Sequence, residues 1–121
     1  MALVGDLGSG KTTFIQGLAK GLRIGQKIIS PTFILMRKYE VKFYKNPKIK
    51  NLYHLDLYRL EGEVESELKN LGIEEVWSDT KDVTVVEWAD KARDFLPGKA
   101  IWIKFENINE NERKISSETL Y

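Results

Sequence analysis

Gly5-Asp6-Leu7-Gly8-Ser9-Gly10-Lys11-Thr12 is the stretch on which the fold of this 121-residue chain turns. Its spacing is G-x-x-x-x-G-K-[ST], and each fixed position has a mechanical reason. Gly5 and Gly10 permit backbone conformations and a close approach that a Cβ would obstruct. The loop N–H groups then converge at the positive end of the following helix, where an anion is stabilised. The pattern places the Lys11 ammonium between β- and γ-phosphates and the Thr12 hydroxyl on a magnesium ion. Phosphate contacts are therefore expected along Asp6, Leu7, Gly8, Ser9, Gly10, Lys11, Thr12 and Thr13. Upstream, Met1-Ala2-Leu3-Val4 reads as the end of a buried strand. Downstream, Thr12 to about Leu22 reads as a helix with an apolar stripe of Phe14, Ile15, Leu18, Ala19 and Leu22. Strand, glycine loop and helix in that order give an α/β, P-loop NTPase-like fold. Average strands run about 5–6 residues, whereas three residues separate Met1 from Gly5. The strand that launches such a loop is normally central, so the reading favours a natural segment ahead of Met1.

The remainder of the chain supplies the other layers. Ile28-Ile29 reads as a short strand stopped by Ser30-Pro31. Phe33 to Tyr44 and Asn51 to Tyr58 flank a turn at Asn46-Pro47 and predict an antiparallel hairpin. Glu63 to Leu71 reads as a helix ended by Gly72. Val83-Thr84-Val85-Val86 is a buried strand by composition. Asp90 to Leu96 predicts a short helix closed by Pro97-Gly98. Ala100 to Phe105 alternates as a strand, with Arg113 to Ser116 as its partner. The prediction is one domain over residues 1–121, in three layers around a mixed sheet.

Composition narrows the class. Hydrophobic residues make up 42% and charged ones 31%, as in an average soluble globular protein. A net charge of +1 gives no global attraction to nucleic acid, so any RNA contact is local or made through a partner. With no cysteine, there is no disulfide framework and no thiolate metal site. No apolar run approaches the roughly 20 residues that span a bilayer, and no secretion signal opens the sequence. A cytoplasmic protein without membrane contact is expected.

Guanine-specific P-loop proteins carry an Asn/Thr-Lys-x-Asp element. Thr80-Lys81-Asp82 comes nearest here, but Val83 occupies the acidic position. ATP is the expected nucleotide. In open α/β sheets ligands sit beyond the carboxyl ends of the strands, so acids there are the metal and catalytic candidates. Asp56 and Glu87 both qualify, and periodicity does not decide which one serves magnesium. Thr32, presented on a turn stiffened by Pro31, is either a switch threonine or a plain turn residue. Trp88 either caps the site or is a half-buried core aromatic. His54 alternates with Asp56 and so shares its face; with no second histidine or cysteine, a transition-metal site is not expected. Lys42 to Lys50 is basic with two aromatics, readable as an RNA contact or as a solvated hairpin tip whose lysines discourage edge pairing.

Four blocks in order, Gly5 to Thr13, Ser30-Pro31-Thr32-Phe33, His54-Leu55-Asp56-Leu57-Tyr58-Arg59 and Val86-Glu87-Trp88-Ala89-Asp90, closely resemble the TsaE (YjeE) family. That family is the bacterial ATPase of tRNA threonylcarbamoyladenosine biosynthesis. The resemblance runs from the first residues to about Trp88, with a weaker echo around Arg113. It implies that Lys11 and Thr12 bind phosphates and magnesium, that Thr32 is the switch threonine, and that Asp56 is the Mg²⁺-associated acid. Glu87 and Trp88 would line the nucleotide site, with Glu87 important for turnover. The implied partners are TsaD and TsaB, which modify the adenosine next to the tRNA anticodon, so that tRNA is met indirectly. The chain departs from the pattern in lacking the family's segment before the P-loop, part of which borders the adenine, and in having Ser9 for the usual alanine. The rival reading is a small-molecule P-loop kinase, which needs an acceptor pocket, a lid and phosphate-clamping arginines. Arg23, Arg37, Arg59, Arg93 and Arg113 form no clustered pair in the sequence. A nucleotide-sensing module without hydrolysis is the third.

Overall fold

A computed structural model describes residues 1–31, 34–42 and 49–119. Its strands are β1 (Ala2–Val4), β2 (Met36–Glu40), β3 (Asn51–Asp56), β4 (Asp82–Glu87), β5 (Ile101–Asn107) and β6 (Arg113–Thr119). They form one sheet in the order β2-β3-β4-β1-β5-β6. The inner strands β3, β4, β1 and β5 run parallel, and the two outer strands are antiparallel to their neighbours. A mixed α/β sheet is thus observed. β1 sits in its middle with three residues, short and central as the sequence suggested.

Alternation along the strands divides the interior into two cores. Ala2, Leu55 and Val86, adjacent by register, pack with Val64, Leu68 and Ile73 on one face. Those last three come from helices α2 (Val64–Asn70) and α3 (Ile73–Ser78). Leu3, Leu52, Val85 and Ile103 belong to the other core, beneath Ile15 and Ala19 of helix α1 (Lys11–Gly21). Burying each such leucine or isoleucine contributes about 1.5–3 kcal/mol, so both helical layers are held by apolar area. No helix among the described residues is long and apolar enough to cross a membrane.

The predicted hairpin is present, with Met36 opposite Leu55 and Glu40 opposite Asn51. The turn at Asn46-Pro47, most of the basic run from Lys42 to Lys50, and Thr32 and Phe33 lie outside the described residues. Three elements differ from expectation. Ile28-Ile29 is not a strand: the Ile29 N–H donates to the Tyr39 hydroxyl at 3.2 Å, so a side chain satisfies what a ladder would. Asp90 to Leu96 holds a 3₁₀ turn over Ala89–Ala92 rather than a helix, with Phe95 and Leu96 both donating to the Ala92 carbonyl. Helix α3 was not anticipated. It follows at once on Gly72, whose φ of +70° turns the chain between two short helices.

Candidate functional site

The chain leaves β1 at Val4 and must pass close under β5. A Cβ on Gly5 would lie 2.6 Å from the Phe105 carbonyl oxygen, so only glycine fits. At the other end of the loop Gly10, φ +103°, caps α1 with no side-chain cap, and no acid occupies the first turn. The first bond into the helix is Phe14 N–H to the Gly10 carbonyl, 2.9 Å. First-turn N–H groups therefore have no intrahelical acceptor, and nothing negative competes for them. They open onto a cleft of about 870 Å³ lined by Gly8, Ser9, Gly10, Lys11, Thr12 and Thr13 on one side. Leu7 lines it too and is 65% exposed. Asp6 does not; it lines a smaller cavity of about 380 Å³ shared with Trp88 and Asp90.

Lys11 is buried. Its ammonium donates to the carbonyls of Gly5 and Asp6 and lies 3.9 Å from the centroid of the Trp88 ring. Burial pulls its pKa below the usual lysine range, while Glu87, Asp56, Asp90 and Asp6 push it back up. Trp88 holds a left-handed backbone, φ +57°, and its ring stands 5.1 Å from that of Tyr58.

The two acids that sequence alone left as alternatives are brought together. Asp56 and Glu87 end adjacent parallel strands and face each other in register; both are buried and both line the cleft. Their surroundings separate them. Asp56 accepts from the Ser30 hydroxyl and the Tyr58 backbone N–H, each at 3.0 Å. Glu87 Oε2 lies 2.7 Å from His54 Nε2. Among the described residues no cluster of three or more His, Cys, Asp or Glu could hold a metal. Magnesium needs less: it keeps several waters and takes one or two carboxylate oxygens. The Thr12 hydroxyl and Asp56, both on the cleft wall, are a donor set of the right hardness for it.

Other cleft residues were not singled out by sequence. Ser30 was read as part of a turn and of a family block, with no role of its own. Arg113 was read as the start of a strand and as part of the resemblance, with no site role; its Nε donates to the Gly8 carbonyl at 3.2 Å, tying β6 to the glycine-rich loop. Glu110, Asn111 and Ile115 line the same wall. They meet the loop through the β5–β6 pairing, which the sequence predicted, and through the place of β5 beside β1, which no local pattern signals.

Comparison with known proteins supplies a family. The model for "Threonylcarbamoyl adenosine biosynthesis protein TsaE" matches residues 1–115. A Bacillus subtilis tRNA threonylcarbamoyladenosine biosynthesis protein TsaE is 38% identical over 116 residues, covering 96% of this chain and 66% of the relative. A Nostoc protein of the same name is 44% identical over 92 residues, covering 74% and 51% respectively. The chain thus spans about half to two thirds of the length of these relatives. The crystal structure of Bacillus subtilis YdiB superposes with a TM-score of 0.72 at 31% identity, over 99% of this chain and 67% of that one. Sequence match and fold agree: the chain belongs to the TsaE family.

Proposed function

We propose that this chain binds and hydrolyses Mg-ATP in support of threonylcarbamoyladenosine formation on tRNA, acting on a TsaD–TsaB pair. The observation that carries the proposal is the uncapped, acid-free start of α1 opening on the same cleft as Lys11, Asp56 and Glu87. First-turn N–H groups and the Lys11 ammonium stabilise negative charge on the β- and γ-phosphates. Thr12 and Asp56 would hold the magnesium ion, which when bound neutralises phosphate charge. Glu87 accepts a hydrogen bond from the attacking water and orders it, and Trp88 and Tyr58 shield that end of the cleft from bulk solvent. Thr32 is proposed as the switch threonine. Leu7 and Tyr58, 65% and 42% exposed at the rim, give a partner an apolar edge to close against. Such closure excludes water and fixes geometry.

The test is product analysis at saturating Mg-ATP, alone and with TsaD and TsaB. Slow phosphate release that the pair accelerates supports the proposal. A phosphorylated metabolite would make the chain a kinase, and unchanged ATP with and without partners would make it a nucleotide sensor.

A further inference from the structure

We propose that His54 is the positioning residue for Glu87, fixing the carboxylate so that one oxygen is held inside the sheet and the other is kept for the cleft. The inference rests on the reading of Glu87 as the group that orders the attacking water. His54 is fully buried on β3, opposite Val85 rather than opposite Glu87. Its ring reaches forward along the sheet to bring Nε2 to 2.7 Å from Glu87 Oε2, with the two side chains 0% and 6% exposed. Nδ1 has no hydrogen-bond partner among the described residues. A histidine kept for structure alone is ordinarily bonded on both sides, because a buried unpaired nitrogen costs stability. Here the single hydrogen bond that the ring makes among the described residues is to Glu87.

The consequence is directional. Nε2–H donating to Oε2 selects one orientation of the carboxylate, and Oε1 makes no hydrogen bond among the described residues. Glu87 itself lines the cleft. The neighbouring Asp56 is fixed by different donors, Ser30 and the Tyr58 N–H, so the two acids are oriented independently. Losing the His54 donor would let the Glu87 side chain rotate without disturbing Asp56. Misplacement of a catalytic group by about 1 Å costs on the order of 10²-fold in rate, and loss of a supporting outer partner costs about 10–100-fold.

The experiment has a kinetic and a spectroscopic arm, both on the whole chain. His54→Leu keeps bulk and removes the donor; His54→Gln returns an amide donor. His54→Leu is expected to lower kcat for Mg-ATP about 10–100-fold with KM changed less than about 3-fold, and His54→Gln to recover most of the loss. His54 is the only histidine in the chain, so the imidazole ¹⁵N spectrum of the free protein is a single set of signals. An Nε2–H proton protected from exchange, lost or strongly shifted in Glu87→Ala, supports the pairing. An Nδ1–H tautomer, or a ring indifferent to Glu87→Ala, overturns it, as does a folded His54→Leu with unchanged kcat. If wild-type protein releases no phosphate even with partners, the proposed hydrolysis fails, and the spectrum still decides the pairing. If His54→Leu does not fold, the response of the ring to Glu87→Ala decides in the same way.

Discussion

The face of the sheet beneath α1 and the face beneath α2 and α3 are built alike along most of the strands and part company at the strand ends. Under α2 and α3 the interior stays apolar throughout, from Leu55, Val86 and Ala2 out to Leu57 and Ala89. Under α1 it begins with Leu52, Leu3 and Val85 and then turns polar. All five buried polar or charged residues among those described, Ser9, Lys11, His54, Asp56 and Glu87, belong to that side or to the loop above it. Val86 and Glu87 are consecutive, yet the pleat sends one to each interior. Desolvated charge costs stability unless it is paired, and here it is gathered where ligand chemistry can use it. The other face is left to hold the fold. The proposed activity and the stability of the fold are therefore assigned to different faces, and this separation can be attacked directly.

The largest effect is expected at Lys11. Lys11→Ala and Asp56→Asn should each lower Mg-ATP turnover by about 10³-fold while circular dichroism and melting stay near wild type. Full-rate hydrolysis by a folded Asp56→Asn protein would transfer the metal role to Glu87. On the opposite face Leu68→Ala, at a fully buried position, should cost about 2–5 kcal/mol in denaturant unfolding. The KM of the folded fraction should stay unchanged. A collapse in nucleotide affinity there would break the division between faces. A smaller effect concerns Trp88, which touches both sides: it packs on the apolar core and lies under Lys11. Adding Mg-ATP should change tryptophan emission, and Trp88→Phe should remove most of that change. A signal from Trp77 or Trp102 instead would make Trp88 a core residue. Smallest is Ser9→Ala. The Ser9 hydroxyl is buried with no hydrogen-bond partner among the described residues, so removing it should leave stability within about 1 kcal/mol of wild type or raise it. A larger loss would reveal a partner for the hydroxyl in solution.

Sequence showed most clearly what is contiguous. The glycine-rich loop is eight consecutive residues whose spacing states its own geometry, and Gly5 and Gly10 occupy the positions where a side chain or ordinary φ would fail. The mixed sheet was readable from strand composition and the β2–β3 hairpin. Asp56 against Glu87 was not, because their meeting depends on the parallel register of β3 on β4, which neither strand encodes alone. The same holds for Ser30 on Asp56 and Arg113 on Gly8. Helix α3 was missed for another reason. Six residues are too few to establish a period, and its N-cap Gly72 also served as a convincing stop for α2.

The place of β1 in the sheet governs the order in which the molecule can assemble. Ala2 pairs with Val86 on one side and Trp102 on the other, so β1 is a wedge between two strands that lie about 80 to 100 residues further along. Closing such distant contacts carries a large entropic cost before any stabilisation is gained. During synthesis β1 has neither of its sheet neighbours until β4 and β5 have left the ribosome. The glycine-rich loop, whose Gly5 passes against Phe105 of β5, closes with that same step. A nascent chain would thus carry its glycine-rich loop as unstructured peptide until β5 has been made.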